Sequence, residues 1–185
     1  MTIFTSMELT HQHETCADGT ERTEAALRRL GLTRHSIVPM RVVLDEMGLL
    51  DCLFSFCGVT KASRREADLV LSEYTLYLMN VSAMFWPHLV NPNTVRVADK
   101  HARGLAGKEQ VAEAYRVAQR AGSSLAEDNV HSMYLTLLAD VPTHIRAVHA
   151  TRFAMSAAHM QGRGKDIQTL LVAFLRSAMP YTLTP

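Results

Sequence analysis

The chain has 185 residues, 48% hydrophobic and 20% charged, with nine Gly and six Pro. That length suits one ordinary domain able to bury about 70% of its unfolded surface, and the composition excludes a disordered tail, a collagen-like repeat and a linker. Nineteen Lys and Arg against eighteen Asp and Glu leave a net charge of +1, too even for a protein that coats nucleic acid.

Residues 1–19 show no clear period and are expected to form an N-terminal arm ahead of a single helical domain over residues 20–185. Thr20 can cap a helix with Glu21 and Glu24 in its first turn and Arg28 and Arg29 in its last, all four complementing the helix dipole. Ser36 is expected to cap the next helix, with Pro39 in the first turn and Val42, Val43 and Met47 inward. Leu49 to Cys57 is a short apolar run with no partner strand in sight, and is read as a short helix.

Ser63 and Glu66 have capping-box spacing and open what should be the longest helix, the central strut, running to Trp86 before Pro87. Its inward pattern is expected to include Leu69, Val70, Glu73, Leu76, Tyr77, Asn80 and Met84. Leu69 to Val90 has the length of a membrane span, but Ser72, Glu73, Asn80, Ser82 and Pro87 favour a buried helix of a helical bundle.

Asn91-Pro92-Asn93 reads as a turn, followed by helices over 94–103 and 108–121 with Gly104 and Gly122 as stops. Ser124 and Glu127 form a second capping-box pair, opening a helix to about Ala139. A helix from Thr143 to about Gln161 and another from Asp166 to Met179 complete the chain, the last with Ile167, Leu170, Leu171, Phe174 and Leu175 on its buried stripe. No hairpin or alternating pair of strands is evident, so the expectation is an all-α, compact multi-helix bundle of eight or nine helices.

Cys16-Ala17-Asp18-Gly19, Leu50-Asp51-Cys52-Leu53-Phe54 and Val95 to Gly104 followed by Lys108-Glu109-Gln110-Val111 carry a resemblance. Over residues 11–121 the chain resembles helical proteins of bacteria and phages labelled immunity proteins. Residues 122–185 depart from that pattern, being mixed and rich in Met and His where such proteins continue in Ala- and Tyr-rich helices. The resemblance implies an all-helical fold and an interaction role, and it supplies no catalytic residue.

The sharpest local cluster is His11, His13 and Cys16, which could supply three zinc ligands with Cys52 or Cys57 as a fourth. Cys52 and Cys57 are five apart, a rotation of about 140° on a helix, so they do not face one ion together. The three cysteines have no disulfide-framework spacing, and Met1 to Glu8 lacks a secretory leader pattern, so a cytoplasmic location is expected. His131, His144, His149 and His159 show no His-Glu-x2-His spacing, though Glu127 and His131 can pair.

Gly162 to Asp166 leads into a helix and reads as a turn able at most to meet an anion. Glu73 would need a partner if buried. Arg146, Arg152, Arg163 and Lys165, with Arg176, are candidates for a basic face, and Arg146 and Arg152 lie about 120° apart on a helix. Among ten Met, Met133, Met155, Met160 and Met179 could offer an adaptable surface or fill a core.

The expected partner-binding set is therefore Arg146, Arg152, Arg163, Lys165, Met155 and Met160. The expected function is a non-catalytic protein that binds another protein or protein complex, in the manner of an immunity or phage anti-defence inhibitor. A nucleic-acid partner through the basic face is a weaker possibility and a membrane partner is not expected. The alternatives are a zinc-dependent enzyme using His11, His13 and Cys16, and a helical pocket for a nucleotide-like ligand.

Overall fold

The computed structural model describes residues 2–12, 17–89, 91–119 and 124–180. Among them are ten α-helices, nine with seven or more residues, and two strands of two residues each, so the chain is all-α. Two compact units make up the chain, one of Met1–Val70 with Leu175–Pro185 and one of Leu71–Phe174.

The first unit contains β1 (Phe4–Thr5), α1 (Met7–His11), α2 (Ala17–Arg29), β2 (Val38–Pro39), α3 (Met40–Met47) and α4 (Leu49–Ser55). It also takes the start of α5 (Arg64–Phe85) and the end of α10 (Gly164–Ala178). Residues 4–11 of the stretch expected as an N-terminal arm include a strand and a short helix. Ile3, Thr5 and Met7 are buried, and β1 pairs antiparallel with β2 through Phe4 with Pro39 and Thr5 with Val38. The Thr60 N–H donates to Phe4 O at 2.9 Å, and the Thr5 hydroxyl donates to Gly58 O at 2.8 Å. Ser6 caps α1 by accepting the Leu9 N–H at 3.2 Å. Strands of two residues are too short to reveal their alternation in sequence.

Helix α3 starts at Met40, later than the Ser36 cap suggests. Val38 precedes a proline, which disfavours helical backbone there and leaves Val38–Pro39 extended in the sheet. The Ser36 hydroxyl accepts the Thr33 N–H at 3.0 Å and closes a turn. Ser63 at the head of α5 accepts the Phe4 N–H at 3.1 Å, tying the N-terminal segment to that helix start.

The second unit holds the rest of α5, then α6 (Pro92–Ala102), α7 (Lys108–Ala118), α8 (Leu125–Leu138), α9 (Thr143–Met160) and most of α10. Asn91, expected in a turn, is the N-cap of α6. Its Oδ1 accepts the Asn93 N–H at 2.9 Å, and Pro92 takes the first helical position, where no N–H is needed. Ser124 caps α8 as expected, accepting the Glu127 N–H at 3.3 Å. Helices α8 and α9 pair extensively. Ala147, Ala150, Ala154, Ala157 and Ala158 of α9 are all buried, and their small side chains let a neighbouring helix approach closely. The buried hydroxyls of Tyr74 and Thr151 pair at 2.8 Å, and Tyr77 stacks on Phe174 at 4.6 Å. Trp86 donates from Nε1 to Gln161 Oε1 at 2.9 Å.

Helix α5 is the longest at 22 residues, but its expected inward pattern is rotated. Leu69 is 57% and Met84 72% exposed, with Glu73 and Asn80 also exposed, so these four form the solvent stripe. Val70, expected inward, is buried, and so are Ala67, Leu71, Tyr74, Leu78, Met79, Val81, Ser82 and Phe85, with Trp86 just beyond the helix end. Apolar residues occur all round α5, so periodicity alone does not set its phase. Among the described residues no helix is long and apolar enough to cross a membrane.

Candidate functional site

His13 and Cys16 lie outside the described residues. His11, half-buried at the end of α1, has Nε2 3.4 Å from Thr20 Oγ1. Both candidate fourth ligands are buried thiols. Cys52 Sγ lies 3.7 Å from Met40 O and Cys57 Sγ 3.9 Å from Thr10 O. Among the described residues no three His, Cys, Asp or Glu side chains group closely enough to hold a metal ion.

Burial pushes the Cys57 thiol up to about 11, with Arg64 pulling it partly back, and burial raises Cys52 further still. An unfolded thiol titrates near 9.0. Between pH 9.0 and about 11 the folded state therefore holds more protons at Cys57 than the unfolded state, and stability falls as pH rises. Denaturation by urea across this interval should show a steeper loss for the wild-type chain than for Cys57→Ala. Equal pH dependence in the two proteins would contradict the assignment.

Several candidates separate in space. Glu73 is exposed, so it is not a buried carboxylate in need of a partner. Glu127 lies 3.8 Å from His88, on the loop after α5, rather than serving only its own helix. Met133 and Met179 are buried core residues, and Met133 Sδ accepts from the Ser82 hydroxyl at 3.1 Å. Arg176 belongs to the first unit and is engaged by Asp45 at 2.9 Å. Arg163 is partly committed: its guanidinium lies 3.8 Å above the Phe85 ring, with Asp166 at 3.9 Å. Gly162 sits at φ 72° and ends α9, with the Arg163 N–H closing on Ala158 O at 2.8 Å.

Helix α9 keeps part of the expected basic face. Its eighteen residues include two Arg and three His and no Asp or Glu. His149, Arg152, His159 and Met160 are exposed, and Ser156 between them is half-buried. At about 100° per residue these five fall within about 100° of the helix surface, a stripe roughly 17 Å long. Ion pairs among the described residues leave out His149, Arg152 and His159. Lys165 is exposed just beyond, at the start of α10. Met155 is half-buried, about 100° from Ser156 and outside the stripe.

Arg146 is the other departure. It is half-buried, about 60° off His149, and lines a small cleft with Thr75, Met79, Ala98, Ala102, Leu137 and Thr143. Nη2 donates to Thr143 Oγ1 at 3.2 Å, and among the described residues no protein atom accepts from Nε. Burial lowers the affinity of this guanidinium for its proton, and Asp140 acts the other way. The charge of Arg146 is legible in the sequence. Its burial depends on Thr75, Met79 and Ala98, remote in the chain, and no local signal reveals them.

Comparison with known protein families, curated proteins and solved structures finds no match for this chain.

Proposed function

We propose that the chain is a non-catalytic, cytoplasmic helical protein that binds an acidic surface of another protein through the solvent side of α9. The observation that carries this reading is the carboxylate-free α9, with exposed His149, Arg152 and His159 beside exposed Met160. Arg152 lies outside the ion pairs among the described residues and is available to a partner's carboxylates, the imidazole N–H groups of His149 and His159 can donate hydrogen bonds to them, and an adjacent thioether adds adaptable apolar contact. A single exposed arginine is too little charge for a nucleic-acid track, which favours a protein partner. The interaction role expected for residues 11–121 is carried forward in this proposal, in the manner of an immunity or anti-defence protein.

The test is charge reversal. A tagged wild-type chain should retain a discrete protein from its native host, and the double variant Arg152→Glu, His159→Glu should lose it while keeping its helical circular dichroism. Equal retention by both proteins would refute the assignment of the surface.

A further inference from the structure

Among the described residues the methionines divide sharply by exposure. Met7, Met40, Met79, Met133 and Met179 are buried, and Met47 and Met155 are half-buried. Two stand in solvent: Met84 on α5 at 72% and Met160 at the end of α9 at 46%. A hydroperoxide oxidises a thioether according to its exposure, so these two are the ones a dissolved oxidant meets first. Their surroundings differ. Met84 lies on the solvent stripe of α5, outside the surface assigned to α9. Met160 is part of that surface, next to exposed His159, and its Sδ accepts from Asn129 Nδ2 of α8 at 3.9 Å. The same nitrogen donates to Leu125 O at 2.8 Å, which uses one of its two hydrogens and leaves the other for the sulfur.

We propose that Met160 is an oxidation site at which a hydroperoxide weakens the binding assigned to α9. The inference rests on that binding surface, of which Met160 is the apolar member. A sulfur lone pair attacks one peroxide oxygen, an S–O bond forms and the O–O bond breaks. The thioether is oxidised by two electrons to the sulfoxide, and the hydroperoxide is reduced to water or, when it is organic, to an alcohol. The proton of the transferred oxygen passes through solvent to the departing one. A sulfoxide oxygen is a polar acceptor where the thioether sulfur is a weak one, and the Asn129 N–H directed at Sδ stands ready to donate to it. Oxidation therefore exchanges an adaptable apolar contact for a polar group that an apolar side chain of the partner does not match. The buried methionines are spared. Met133, for example, is enclosed in the core with its sulfur accepting from the Ser82 hydroxyl.

The experiment treats the full-length chain with limiting hydrogen peroxide, follows each methionine by tandem mass spectrometry, and then measures affinity for the captured partner. Met84 and Met160 should oxidise at least about tenfold faster than the five buried methionines. The chain oxidised at these two positions should bind at least about fivefold more weakly than the reduced chain. Met84→Leu should lose affinity on oxidation as wild type does. Met160→Leu should bind when reduced and keep its affinity after the same treatment. Oxidation of Met160 no faster than that of the buried methionines overturns the proposal, as does equal affinity of the oxidised and reduced chains, or an equal loss in Met160→Leu. Failure of the reduced chain to capture any partner refutes the binding surface and this site together, whereas capture that oxidation leaves unchanged refutes the oxidation site alone.

Discussion

Replacing Trp86 with alanine is expected to destabilise the second unit by about 4 kcal/mol, the largest effect of any single truncation in that unit. Trp86 is the chain's single tryptophan and is 1% exposed. Its ring contacts the Phe85 ring at 5.6 Å between centroids, and its Nε1 donates to Gln161 just beyond the end of α9. Removing it deletes a large apolar area, opens a cavity and releases the link from α5 to the turn after α9. Trp86→Phe keeps most of the ring and loses the hydrogen bond, so a cost of about 1–2 kcal/mol is expected. The alanine variant has no tryptophan fluorescence, so urea denaturation followed by far-ultraviolet circular dichroism is the suitable measurement. A cost below about 1 kcal/mol for Trp86→Ala would contradict the packing described for this residue.

In the first unit the corresponding prediction is Gly58→Ala, with an expected cost of about 3 kcal/mol. A Cβ at residue 58 would stand 2.4 Å from Thr10 N and 2.6 Å from Thr10 Cα. Those are backbone atoms of α1, so the clash cannot be relieved by turning a flexible side chain. The chain around Gly58 is also stitched to the N-terminal segment, through Thr5 Oγ1 to Gly58 O and the bridge between Thr5 and Val59. Separating α1 from residue 58 would loosen those contacts. Amide hydrogen exchange of α1 and β1, together with the denaturation midpoint, measures the effect. Unchanged protection and a midpoint equal to that of wild type would show that Gly58 and Thr10 are not in this close approach.

Much of the helical framework is legible in the sequence because helix ends carry local chemistry. Ser124 caps α8 as read, and Gly162 stops α9 where a positive φ is required. The stripe of Ile167, Leu171 and Leu175 on α10 is buried because polar residues separate it from the opposite face. Local chemistry fails where two faces look alike. On α5, Leu69 and Met84 point outward while Tyr74 and Ser82 are buried, a phase set by neighbouring helices rather than by hydropathy. The N-terminal segment is hidden for a different reason: Phe4 and Thr5 find their partners at residues 38 and 39, far along the chain, over too few residues to leave a period.

The functional residues divide in the same manner. The basic character of α9 is visible as a helix without carboxylates, and Arg152, with Met160 nearby, is exposed. Arg146 and Met155 belong to the same run of sequence but are half-buried, because helical rotation carries them away from the exposed stripe. Arg163 is exposed yet spends its cation on Phe85 and Asp166, contacts created by the turn at Gly162. Lys165 remains exposed at the edge of the proposed surface.

The most direct test of the proposed function is the affinity of the captured partner for three proteins: wild type, the Arg152→Glu, His159→Glu double variant, and Gln168→Glu on the exposed side of α10. The account predicts at least about tenfold weaker binding for the double variant, equivalent to about 1.4 kcal/mol or more, and wild-type affinity for Gln168→Glu. Equal affinity across all three, or weakening by Gln168→Glu alone, would contradict it.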